Sequence, residues 1–250
     1  MLGRYVQHAT TKFSLPDWGK QLCLFYINFL ANFIFTNFIV IKGFNMQINN
    51  TPNFKANLVA SSGKLKLYKL NGQADIKALK KLCAETDFSK LMPNQTKQQS
   101  ERWHEMLEYA ADNAQKNGNI TYIESFQDKI CGIITYNPAA TSVIDCICTI
   151  PVKAGEKVKL AGKTLFYQVF KDFLEYNGSR INLSAITNGP FNTINKYKEL
   201  GFKETRSSTP TYVEMTVNKY KVKDIFEMLK KLIPYKQEKP TSIDLMKELD

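Results

Sequence analysis

Histidine is nearly missing from this chain: two residues, His8 and His104, in 250. Cysteine is scarce and odd in number, with Cys23, Cys83, Cys131, Cys146 and Cys148 making five. Only Cys146 and Cys148 lie close together, inside a strand-like run with no second matching pair, so the ligand set of a structural zinc site is missing and no metal is expected. Mostly apolar surroundings and an odd count exclude a disulfide framework. Buried thiols of a reducing compartment fit instead, and the expected location is cytoplasmic. The chain also lacks an internal repeat, zinc-finger spacing and the aromatic signature of an RNA-binding sheet.

What is present is ordinary for a globular domain with an appendage: 44% hydrophobic and 23% charged residues, which excludes a disordered or fibrous chain. The formal charge is +11, from 34 Lys and Arg against 23 Asp and Glu. Such a surplus favours anionic partners, whether nucleic acid, a membrane surface or a phosphorylated cofactor. The lysines are spread rather than clustered, which argues against nucleic acid as a partner and keeps a merely solvated basic face as the competing reading.

The first forty-five residues stand apart. "LCLFYINFLANFIFTNFIVI", residues 22–41, is long enough to cross a bilayer, yet Asn28, Asn32, Thr36 and Asn37 interrupt it. Lys20 and Lys42 bracket it without fixing an orientation, and no small-residue cleavage site follows. Three readings stay open: a mis-set start before Met46 with the composition of translated AT-rich noncoding DNA, a membrane anchor, or a packed helix. The expected organisation is therefore 1–45 as an apolar segment, 46–218 as the main domain and 219–250 as a C-terminal helix and polar tail.

Periodicity then orders the domain. A strand over 64–71 leads into a helix with Ile76, Leu79, Leu82 and Cys83 at helical spacing. "QSERWHEMLEYAADNAQK" places Trp103, Met106, Leu107, Ala110, Ala111 and Ala114 on one face of a second helix. "NITYIESF" and "ICGIITY" predict a hairpin, and "SVIDCICTIPV" a third neighbouring strand. Leu165, Phe166, Val169, Phe170, Phe173 and Leu174 form the next helix stripe. "RINLSAITN" is a strand, "PFNTINKYKEL" a helix closed by Gly201, and "TYVEMTVN" a final strand. "VKDIFEMLKKLI" adds one more helix, stopped by Pro234. The fold class this order predicts is α+β with a mixed, mostly antiparallel twisted sheet.

One segment carries a chemical signal of its own. "EKVKLAGKTLFYQVFKDF", residues 156–173, opens as a turn and closes as an amphipathic helix. A helix start offers unpaired amides and the positive end of a dipole to an anion. Lys157, Lys159 and Lys163 add charge. Asp145, inside "VIDCICTI", is costly in a strand unless paired, exposed or functional. Glu124 and Glu214 are further carboxylates on other strands.

Element order, "KVKLAG" and "YKELGF" together resemble the GNAT superfamily of acyl-CoA-dependent N-acyltransferases, over roughly residues 64–218. The superfamily's turn signature is a basic or amide residue, two others, Gly, one other, then Gly or Ala. Lys157 takes the basic position, Leu160 stands where the first glycine is usual, and Gly162 takes the second. Val152 closes the preceding strand. A Tyr four residues before a Gly-Phe pair is met by Tyr197, Gly201 and Phe202. The resemblance implies acetyl-CoA as acyl donor, its pyrophosphate cradled by Lys157, Val158, Lys159, Leu160, Ala161, Gly162 and Lys163. It implies main-chain pairing of Ile150 and Val152 with the pantetheine arm, in a splay between two strands. A leucine at 160 with negative φ and its side chain turned inward would still present its amide. Pro190 stands where the superfamily often has asparagine, flanked here by Asn188 and Asn192.

The resemblance implies transfer of an acetyl group to a primary amine, of a small molecule or a peptide, by direct attack in a ternary complex. Tyr197 is then the proton donor to the leaving thiolate and Asp145 the base for the amine. Two other classes compete: a noncatalytic module that has lost the cofactor and works through its last helix, and an RNA-linked relative suggested only by basicity.

Overall fold

A run such as "VIDCIC" is apolar at every position but Asp145, the pattern of a strand covered on both faces of its sheet. The computed structural model describes residues 56–242 except 115, 117 and 188–192, all within one compact unit, Asn50–Asp250. The apolar N-terminal segment, Asn188, Pro190 and Asn192 lie outside the described residues.

The elements are β1 (Asn57–Ser62), β2 (Leu65–Lys69), α1 (Gln73–Glu85), α2 (Phe88–Leu91), α3 (Lys97–Asn113), β3 (Ile120–Phe126), β4 (Lys129–Asn137) and β5 (Thr141–Thr149). After them come α4 (Ala161–Glu175), β6 (Arg180–Ile186), α5 (Thr193–Glu199), β7 (Lys203–Ser208), β8 (Tyr212–Asn218), α6 (Lys219–Leu232) and β9 (Lys236–Ser242). One sheet takes the order β7-β8-β6-β5-β4-β3-β2-β1-β9. Every pairing in it is antiparallel except β5 with β6. This is the expected class, a mixed and mostly antiparallel sheet flanked by helices.

Helix starts follow local chemistry. Thr96 and Gln99 form a capping box before α3, Asp87 caps α2 and Asn218 caps α6. One face of the sheet buries Tyr68, Ile123, Ile133, Cys146 and Cys148 against Leu79 of α1, Phe88 of α2 and Leu107 of α3. The other buries Tyr122, Ile134 and Tyr136 against Leu165, Phe170 and Phe173 of α4, with Val222, Ile225 and Leu229 of α6 beyond. Each fully buried side chain of this kind contributes about 1.5–3 kcal/mol.

Helix α4 is also pinned by polar bonds at both ends. Near its C-terminus Asp172 accepts from Tyr122 Oη at 2.6 Å, Tyr136 Oη at 2.5 Å and Gln168 Nε2 at 2.7 Å. In its first turn Thr164 donates to Glu124 of β3. Tyr235, just past α6, donates to the same carboxylate at 2.7 Å.

The strands that periodicity does not disclose include both edges. β7 reads "KETRSS" and β9 reads "KQEKPTS", with no apolar alternation to detect. Polar residues and Pro240 suit edges, where an apolar strand would recruit another chain. The stretch expected as a polar tail thus includes β9, paired with β1 through Asn57↔Ser242 and Ala60↔Gln237. No helix among the described residues is long and apolar enough to cross a membrane.

Candidate active site

Two parallel neighbours that part company open a cleft. β5 and β6 pair only from Thr141↔Arg180 to Ile144↔Leu183, and then separate. The separation coincides with a bulge: Thr135 faces Cys146 and Tyr136 faces Ile144, leaving Asp145 as the extra residue of β5. An extra residue bends the strand and re-aims its side chains. Ile144 accordingly belongs to the core on the α4 side, and Cys146, Cys148 and Ile150 to the core on the α3 side.

The cleft is lined by Arg102, Trp103 and Met106 of α3, Ile144 to Ile147 of β5, Leu183, Ser184 and Ile186 of β6, and Thr193 and Tyr197 of α5. Asp145 and Tyr197, singled out on separate grounds, therefore meet in one pocket. Asp145 is half-buried and accepts from Asn119 Nδ2 at 2.8 Å. Burial raises its pKa above the ordinary carboxylate value, against the lowering influence of Lys116 and of the Asn119 bond. Such a carboxylate is a better base than an exposed one.

Tyr197 owes its position to the way α5 ends. Phe202 N donates to Tyr197 O at 3.0 Å and Gly201 N to Lys198 O at 2.9 Å, with Gly201 at φ 83°. These are the two bonds of a Schellman cap, which asks for glycine at the left-handed position and for a contact between Phe202 and Tyr197. The rings meet edge-on at 6.1 Å, and Phe166 meets Tyr197 at 6.0 Å. Capping thus accounts for the whole Tyr-x-x-x-Gly-Phe motif save the phenolic hydroxyl. Burial, then the nearby Cys146 and Cys148 thiols, push the Tyr197 pKa up, so the phenol keeps its proton. Cys146, also in the pocket, is pushed up to about 12 by burial first and Asp145 second, which leaves a neutral thiol that makes a poor nucleophile.

The turn before α4 corrects one expectation. Leu160 caps the helix at φ 75°, in the left-handed region, rather than at negative φ. The glycine usual here serves backbone shape as well as close approach, and leucine holds that shape at a cost of about 1–2 kcal/mol. Leu160 O accepts from Lys163 N at 2.8 Å and Thr164 N at 3.0 Å, and Ala161 N bonds to Val158 O at 3.4 Å. The Gly162 amide has no backbone partner among the described residues. A Cβ at Gly162 would meet only Thr149 Cγ2, at 3.6 Å, so the fold itself does not demand glycine there. Lys157 and Lys159 are exposed and Lys163 half-buried.

The same turn involves a cation that spacing did not single out. Partial desolvation of this otherwise exposed side chain, and then Lys196 of α5, lower the Lys157 pKa. The two lysines feel one another's charge, which raises the positive potential near this turn. Sequence offered only the adjacency of Lys196 to Tyr197; its approach to Lys157 is tertiary.

Four more residues singled out in the sequence lie as follows. The Ile150 amide donates to Cys131 O at 2.8 Å and the Val152 amide to Glu156 O at 3.2 Å. Neither amide is available to a pantetheine arm, because β4 and a local turn already take them. Glu124 is fully buried beneath the first turn of α4, outside the pocket, and burial raises it to about 7. Glu214 sits one residue back from the pocket, accepting from Ser184 Oγ at 2.7 Å.

No protein-family model and no curated protein matches the sequence. Solved structures similar to this one include an N-acetyltransferase from Thermoplasma acidophilum in complex with coenzyme A, 17% identical at TM-score 0.44, covering 62% of this chain and 98% of that one. A Desulfovibrio desulfuricans chain described as a GNAT-family acetyltransferase is 13% identical at TM-score 0.42, covering 62% and 98%. A spermidine N-acetyltransferase variant from Vibrio cholerae is 15% identical at TM-score 0.41, covering 64% and 97%.

Proposed function

We propose that this chain is a GNAT-type, acyl-CoA-dependent N-acyltransferase that moves an acetyl group from acetyl-CoA to a primary amine by direct attack in a ternary complex. The observation that carries the reading is the divergence of β5 and β6, which places a half-buried carboxylate and a protonated phenol in one largely apolar pocket. Such a pair divides the proton traffic of acyl transfer between a base and an acid.

The residues around the α4 start suit the donor. A helix N-terminus with the Gly162 amide unpaired, flanked by Lys157, Lys159 and Lys163, suits a pyrophosphate. Val158, Leu160 and Ala161 shape the turn. With the Ile150 and Val152 amides occupied, their carbonyls are what this part of the chain can offer. Acetyl-CoA supplies an acyl thioester, activated toward amines. Asp145 then takes the proton of the incoming ammonium, keeping the amine neutral for attack. Tyr197 holds a proton at Oη for the departing thiolate. The neutral Cys146 thiol disfavours an acyl-cysteine route.

Calorimetric titration with acetyl-CoA is the test. Binding is expected, together with a rise in melting temperature at millimolar donor by mass action. Replacing Lys157, Lys159 and Lys163 together with Ala should remove most of that rise while leaving the fold intact. An absence of binding by the parent chain selects the noncatalytic module, a reading that Leu160 at the glycine position favours.

A further inference from the structure

The charges that line the pocket narrow the acceptor. Among the described lining residues, Asp145 is the one carboxylate and Arg102 the one cation, and Trp103, Met106, Ile147, Leu183 and Ile186 are apolar. A polyamine or aminoglycoside carries several ammonium groups and needs several carboxylates; a guanidinium in the same pocket repels it. Opposite charges on the wall of an apolar pocket match a zwitterion.

We propose that the acceptor is a free α-amino acid with an apolar side chain, its ammonium at Asp145, its carboxylate at Arg102 and its side chain among Trp103, Met106, Leu183 and Ile186. This rests on the acyltransferase reading of the same pocket. Arg102 Nη1 already donates to Glu105 Oε2 at 2.7 Å, with the two side chains 40% and 54% exposed. An exposed pair of that kind is worth little, so a ligand carboxylate can share or replace it cheaply. A guanidinium has five donors in a fork that suits a carboxylate, which makes the arginine a reader of that group rather than a general charge. Thr193 Oγ1 is buried in the same wall and has no hydrogen-bond partner among the described residues, which leaves it available to the acceptor. The transfer balances: the ammonium gives one proton to Asp145, which passes it to solvent, the nitrogen then gains the acetyl group and loses a second proton, and CoA leaves as a thiol carrying one.

The experiment measures CoA release from acetyl-CoA by the full chain with leucine, methionine and phenylalanine, with their carboxamides, and with spermidine. The free amino acids should exceed the carboxamides in kcat/KM by at least about tenfold, the scale of a charge-assisted hydrogen bond. In Arg102→Gln that ratio should shrink to near one. Carboxamides or spermidine used as well as the free acids, or a ratio unchanged in the variant, would overturn the assignment. Acetyl-CoA bound in calorimetry with no turnover on any of these acceptors sinks the acceptor class alone. No binding of acetyl-CoA sinks the acyltransferase reading and this inference with it.

Discussion

Leu160 is an L-residue that favours negative φ, held in a left-handed turn at φ 75°. Replacing it with glycine removes the steric penalty but adds backbone entropy to the unfolded chain and deletes a half-buried side chain. Replacing it with alanine deletes the side chain and keeps the penalty. Leu160→Gly should therefore be more stable than Leu160→Ala, by about 1 kcal/mol in urea denaturation, the opposite of the usual order in a helix. Glycine as the weaker of the two would mean the turn is not left-handed in solution. At Tyr197 the ring and the hydroxyl separate cleanly. Tyr197→Phe keeps both edge-on ring contacts, so stability and acetyl-CoA affinity should stay within a few fold, while the single-turnover rate falls by at least about a hundredfold. An unaltered rate would leave Tyr197 with only its capping and packing duties. For Asp145 the raised pKa fixes a sign. The base works when deprotonated, so the rate should climb with pH through a value above the ordinary carboxylate range, and Asp145→Asn should abolish that arm of the profile.

Among the elements, α5 is the most exposed to a single change. It has seven residues and none of them is fully buried. Its place depends on the Tyr197 ring and on the cap at Gly201. A Cβ on Gly201 would come within 2.7 Å of Lys221 Cγ while the backbone sits at φ 83°. Gly201→Ala should cost about 1–2 kcal/mol in chemical denaturation and should lower acetyl transfer as well, since the same helix carries Lys196 and Tyr197. A loss of stability with full activity would show that α5 holds its site without the cap. The element types were legible from apolar spacing: the α4 stripe from Leu165 to Leu174 and the β3–β4 hairpin came directly from period. β7 and β9 were not, because an edge strand facing water has no apolar alternation to betray it.

On the scale of the whole molecule, one buried carboxylate joins distant parts of the chain. Glu124 of β3 receives Thr164 from α4 and Tyr235 from beyond α6. Its pKa is raised from 4.5 to about 7 by burial, with both hydrogen bonds acting the other way. The folded chain thus keeps a proton that the unfolded chain has released. That contribution is fully present below the unfolded value and is lost as pH rises through the folded one. Comparing about pH 5 with about pH 8, the parent should lose up to roughly 3 kcal/mol that Glu124→Gln does not lose. Parallel pH profiles for the two proteins would mean that Glu124 is charged, or solvated, in the native state.

Some of this protein was determined by sequence alone. Apolar periodicity selected the helices and the inner strands from β3 to β6, and the Tyr197, Gly201 and Phe202 spacing wrote a helix cap into the chain, because both depend on residues a few positions apart. Lys157 and its neighbours marked the turn proposed to hold the donor's pyrophosphate, for the same local reason. The site itself was decided by tertiary structure. A single bulge made Asp145 a pocket residue rather than a buried liability, and the parting of β5 and β6 put it in one pocket with Tyr197 of α5 and Arg102 of α3. Those pairings join strands and helices far apart in sequence, and no local pattern encodes the geometry with which they meet.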